Sequence, residues 1–172
     1  MAIALAGAIV LGVLSTFYDF LWAHFEVRHK AINGIVHGMT LLSVAGLVLA
    51  WPTRRWLPGL LGGALTGLFG AASFYAAYPL LGYLNALVAA WVVMWIAFST
   101  VETQLRRVRV GTETAIRGLA AAALSGVAFY LVSGMWTDHS APPNYLRNFA
   151  SWTFAFFPGF AALLRGRASA LR

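Results

Sequence analysis

Residues 56–101 read WLPGLLGGALTGLFGAASFYAAYPLLGYLNALVAAWVVMWIAFSTV, a run of 46 residues without one formally charged side chain. The hydrocarbon core of a bilayer is about 30 Å thick and takes about 20 helical residues at about 1.5 Å rise each. This run is therefore too long for one crossing and long enough for two. Pro79 removes a helix hydrogen bond and Gly82 accepts turn conformations,, so the run is expected to divide at Tyr78–Tyr83.

Read outward from there, the sequence predicts an all-α membrane protein, a six-transmembrane-helix bundle. Its helices fall at about 2–23, 31–52, 57–79, 83–101, 114–134 and 148–164, in a single integral membrane domain over residues 1–172. Runs such as Leu60-Leu61-Gly62-Gly63-Ala64-Leu65 lack the two-residue alternation of outer-membrane strands. No Lys or Arg precedes the first apolar run, which exceeds the length of a secretory signal core,; it is expected to be retained as a helix.

Composition agrees with this medium. The 172 residues are 60% hydrophobic and 10% charged, whereas a soluble chain carries roughly 25% charged residues. Cysteine is absent, which excludes disulfides, thiol catalysis and Cys-ligated zinc or iron–sulfur clusters. The net charge of +7 would suggest nucleic acid on a soluble domain; on this chain it is a topology signal, and no nucleic-acid partner is expected. With six spans, Arg54, Arg55, Arg106, Arg107, Arg109, Arg117, Arg165, Arg167 and Arg172 share a side with the termini, against Arg28, Lys30 and Arg147 opposite. Positive loops stay inside, so both termini are expected to be cytoplasmic, with anionic lipid headgroups along the basic rim.

Gly59, Gly63, Gly67 and Gly70 form a stripe on one helical face, and Gly34, Gly38 and Gly46 form another. Small residues let membrane helices approach. The stripes suit contact within the bundle, a thin wall against a lipid or sterol, or a homo-oligomer through glycine-rich helix faces. Trp91, Trp95 and Phe98 recur at helical spacing as an aromatic face that suits bundle packing or a flat ring system.

The polar residues gather near one end of the helices. Asp19, one turn inside the first span, stands out, because an ionisable residue within a span marks a site by default,. His24, Arg28 and His37 are its candidate partners. Asp19, His37 and Asn85 are the expected polar groups of a ligand site, walled by Trp22, Tyr75, Tyr78 and Trp136. No HExxH or i, i+4 histidine pair occurs,, so no metal, cofactor or catalytic residue is expected. Ser15, Ser43, Ser73 and Ser125 lie in apolar runs and suit packing. Ionisable groups at mid-depth, which a proton-coupled transporter wants, are missing from the predicted spans.

The C-terminal half resembles the Insig (insulin-induced gene) family. The resemblance is carried by Leu131-Val-Ser-Gly134-Met-Trp136, Ser140-Ala-Pro142-Pro-Asn-Tyr145-Leu-Arg147, Ser151-Trp152 and Phe156-Phe157-Pro-Gly159. Ala89-Ala90, Trp95 and Phe98, then Arg106-Arg107-Val-Arg109-Val-Gly111, look like the family's fourth helix and basic loop, and Gly38 through Gly46-Leu47 with Arg54-Arg55 like its second helix and exit. Pro143 stands where the family carries an acidic residue. The resemblance implies six helices and a non-enzymatic protein that binds a lipid, diacyl or sterol-like, in an apolar cavity. Short loops and an Ala/Gly/Arg-rich composition point to a bacterial inner membrane rather than the endoplasmic reticulum. Two other functions fit the same residues. One is an enzyme or cofactor protein acting on a lipid or quinone, with His37 and Asp19 as acid and base; the other is a small transporter or structural subunit.

Overall fold

The computed structural model describes residues 1–25, 29–133 and 144–165. Among these the chain forms five α-helices: α1 (Ala2–His24), α2 (Lys30–Ala50), α3 (Trp56–Leu105), α4 (Thr112–Ser133) and α5 (Tyr145–Arg165), with a 3-10 turn at Trp51–Thr53. Four of them, α1 through α4, are long and apolar enough to cross a membrane. The protein is an integral membrane protein.

The expected six-helix bundle is thereby corrected to five helices. The helices expected at 57–79 and 83–101 are one element, α3, in which Pro79 sits inside the helix and only Gly82 leaves helical dihedrals, with φ 73° and ψ 172°. That backbone region is open essentially to glycine alone, so the direction changes at one residue rather than over a loop. Beyond the bend the arms lie side by side: Gly62 packs on Val101, and the Arg55 guanidinium donates to the carbonyl of Gln104 at 2.9 Å. The expected last span, α5, is helical but falls outside the four; Arg147, Asn148 and Ser151 in its first turns dilute its apolar character. The placement of both termini on the cytoplasmic side rested on six crossings and goes with that count.

The helices are packed inside out relative to a soluble bundle. On α1 the buried residues are Ala4, Gly7, Ala8, Leu11, Gly12 and Ser15, whereas Leu5, Ile9, Val13 and Phe17 point outward. Lipid tails accept large apolar side chains, while close helix contact requires small ones. The glycine stripe of α3 obeys the same rule. Gly59, Gly63 and Gly67 lie on the backbone of α2, and a Cβ at Gly63 would stand 2.8 Å from the Cα of Ser43. Hydroxyls in these helices turn back onto the preceding turn, as in Thr66 to the Gly62 carbonyl and Ser43 to the Met39 carbonyl, at 2.8 and 2.7 Å. A medium without water demands such internal satisfaction.

The core is aromatic where α3, α4 and α5 meet. Trp95, Phe98, Phe156 and Phe160 are fully buried, and the Trp95 indole lies flush on Gly159.

α3 continues past the expected helix end at 101 to Leu105, and an ionic cluster forms in its last turns. Glu102 is completely buried. Its carboxylate binds Arg106 one turn on and, at 3.0 Å, Arg117 of α4. Arg117 also donates to the Leu163 carbonyl of α5 at 2.5 Å, and Arg106 to that of Leu164 at 3.4 Å. Ser99 donates to the Thr114 carbonyl at 2.7 Å, tying α3 to α4 beside the cluster.

Candidate ligand cavity

The second arm of α3, together with α4 and α5, encloses a cavity of about 1130 Å³. Leu84, Val88 and Trp91 of α3 recur on one helical face and form one wall,. The opposite wall is α4, where Ala122, Ala123 and Gly126 stand across from the large Trp91 indole. These short side chains leave the space unfilled. Trp91 donates its indole N–H to the Ala122 carbonyl at 3.2 Å, bridging the walls. Phe129 stacks on Trp91 and lies 5.0 Å, centroid to centroid, from Trp152 of α5, so the inner surface is a run of aromatic faces. Leu84, Val88 and Tyr130 are also exposed at the outside of the bundle, which opens the cavity sideways between α3 and α4.

Polar groups collect at one end. Asp19 of α1, Tyr83 of α3, Ser133 of α4 and Asn148 of α5 all line that end, next to the Gly82 bend and away from the Glu102 cluster. One carboxylate oxygen of Asp19 accepts hydrogen bonds from the Trp152 indole at 2.7 Å and the Asn148 amide at 3.2 Å. Asn148 and Trp152 are one turn apart on α5 and present two donors to one oxygen. A carboxylate away from water needs such donors. The arrangement offers hydrogen bonding to a guest's polar group within an otherwise apolar enclosure.

Of the residues expected to form the site that the structure describes, Asp19 lines this cavity and the others lie elsewhere. His37 stacks on Tyr18 with ring centroids 4.0 Å apart, on α2, which contributes nothing to the cavity wall. Tyr75 seats its ring over Gly34 and donates to the Lys30 carbonyl at 2.9 Å. Tyr78 is exposed and stacks on Phe74. Asn85 turns its amide onto the Leu81 carbonyl at 3.0 Å. Trp22 is half-buried on α1, outside the cavity lining. Trp136 and Arg28 lie outside the described residues. Among the described residues, no three His, Asp or Glu side chains are grouped to hold a metal ion.

Asn148 and Trp152 were not singled out as site residues. Their i, i+4 spacing on one helix is visible in the sequence, but that this face meets Asp19 is set by the packing of α5 on α1. Trp91, read as part of an aromatic face, is a cavity wall. Glu102, which falls between the helices expected at 83–101 and 114–134, is the most deeply buried acid among the described residues.

No family model matches this chain, and no curated protein or solved structure matches it either.

Proposed function

We propose that this protein binds a membrane lipid, diacyl or sterol-like, in the cavity between α3, α4 and α5, and that it acts without catalysis. The observation that carries this reading is the contrast between the cavity's walls and its end. Aliphatic and aromatic side chains line its length, while Asp19, with its two donors from α5, marks one extremity. Ligand sites commonly take this form, apolar surface with a few placed polar groups. The sideways opening faces the hydrocarbon, where such a guest is dissolved. The resemblance to the Insig family points to the same class of guest. A bacterial inner membrane is the proposed setting.

The test is to identify lipid retained by the purified protein by native mass spectrometry, in the wild type and in Gly126→Phe. A Cβ at Gly126 meets nothing closer than the Trp91 indole at 3.6 Å, so the new ring enters the cavity without disturbing the backbone. Retained lipid in the wild type and its loss in a variant of unchanged thermal stability supports the proposal. Equal lipid content in both proteins refutes it.

A further inference from the structure

The turns at the Glu102 end of the bundle hold two residues in unusual backbone conformations. Three non-glycine residues among those described have positive φ, and two of them are Arg54 at 54° and Arg107 at 59°. Arg54 follows the 3-10 turn and precedes α3. Arg107 closes α3: its N–H donates to the Gln104 carbonyl at 2.9 Å, and that of Val108 to the Thr103 carbonyl at 3.1 Å. This pair of bonds is the helix-ending motif in which the left-handed position is ordinarily glycine. A long β-carbon-bearing side chain at both places runs against local preference. Outliers of this kind are the legitimate starting point for a functional inference.

The two turns are neighbours. Arg55, next to Arg54, donates to the carbonyls of Gln104 and Leu105, at 2.9 and 3.2 Å, in the last turn before Arg107. The other basic groups nearby are occupied. Arg55 is committed to those carbonyls, and Arg106 and Arg117 to Glu102. Arg54 and Arg107 are exposed and make no side-chain hydrogen bond or ion pair among the described residues. Their depth is also marked. Trp51 and Trp56 bracket Arg54, touch edge to face at 5.3 Å, and are both exposed. Indole rings at the end of an apolar helix settle at headgroup level.

We infer that Arg54 and Arg107 together bind the phosphate of an anionic phospholipid at the membrane surface. The guanidinium fork matches phosphate oxygens geometrically, and two unpaired forks on adjacent turns give such a group more than one contact. This site is separate from the cavity and does not depend on its occupant.

The experiment uses the full chain in dodecylmaltoside, titrated with dioctanoyl phosphatidylglycerol or dioctanoyl phosphatidylcholine and read by native mass spectrometry. Phosphatidylcholine carries the same phosphodiester but offsets its charge with a quaternary ammonium, so at about 1 kcal/mol per arginine the wild type should favour phosphatidylglycerol by about thirty-fold. Arg54→Gly combined with Arg107→Gly should abolish that preference while holding or raising the thermal midpoint, since glycine relieves both backbones. The Asn pair, which also tolerates this conformation, provides the same readout if the glycine pair purifies poorly. Arg109→Gln, an exposed arginine outside the two turns, should leave the preference intact. Retention of the preference in the double variants overturns the inference. So does an equal loss in Arg109→Gln, which would mean diffuse charge rather than a site.

Discussion

The Trp152 indole nitrogen lies 2.7 Å from a carboxylate oxygen of Asp19, joining α5 to α1 at the polar end of the cavity. The sequence separation is 133 residues, so the bond fixes two helices that share no local register. Asp19→Ala strands the indole and Asn148 donors away from water and should cost about 1–3 kcal/mol. Trp152→Phe keeps the ring and removes the bond. A double-mutant cycle on Asp19→Ala and Trp152→Phe, followed by denaturant unfolding in mixed micelles, should return a coupling of about 0.5–1.7 kcal/mol. Additive losses would show that the contact contributes nothing of its own.

Gly63→Leu should prevent α2 from seating on α3. A Cβ at this position meets the Ser43 Cα at 2.8 Å, which is backbone and cannot rotate away. We expect the variant to purify poorly or to melt well below the wild type. An unchanged midpoint in detergent would mean that the two helices are not held together at this contact.

Gly82→Ala separates backbone strain from crowding. Nothing lies within 4 Å of the added Cβ, so any loss comes from φ 73° and ψ 172°. Such a conformation costs a non-glycine residue of order 1–3 kcal/mol. Gly111, which also has open space but no positive φ, is the matched control, and Gly111→Ala should be near neutral. Thermal scanning of both variants in one detergent decides the comparison.

Glu102→Gln leaves Arg106 and Arg117 without their common counter-charge. Breaking a buried ion pair from one side costs about 3–5 kcal/mol. Replacing Glu102 and the more buried of its two partners with apolar groups of similar size, Glu102→Leu with Arg117→Met, should recover part of that loss, because the less buried Arg106 is then the one charge left unpaired. A double variant no more stable than Glu102→Gln alone would contradict this account.

The helical, membrane-spanning character was legible because hydropathy over 20 residues reports the medium directly. The bend was legible to within a few residues, since Pro79 and Gly82 announce it. The helix count was not. Whether a proline ends a helix or is carried through depends on how its neighbours pack, and α3 carries Pro79 inside. In the site, Asp19 was legible because a carboxylate in an apolar span is conspicuous by itself. His37 and Tyr75 share its depth but face a different seam, and depth can be read from sequence while azimuth around the bundle cannot. Asn148 and Trp152 became recognisable only once α5 was placed beside α1. Glu102 lies just past the expected helix end because the charge-free run stops at Val101; in the folded chain nearby Arg106 supplies a partner that allows its burial.

The fastening of α4 is uneven along its length. Beside Glu102 it is stitched to α3 through Ser99 and Thr114 and through Thr103 and Thr114, and further along by the single indole–carbonyl bond of Trp91 and Ala122. Past that bond, towards Gly82, the two rods face each other across the void. α5, by contrast, is anchored near both tips, to Asp19 at one and to Arg106 and Arg117 at the other. The far end of α4 is tied to α5 instead, where the Arg147 guanidinium donates to the Val132 carbonyl at 3.4 Å, so the enclosure is shaped like tweezers joined at the threonines, with α4 and α5 together as one jaw and the second arm of α3 as the other.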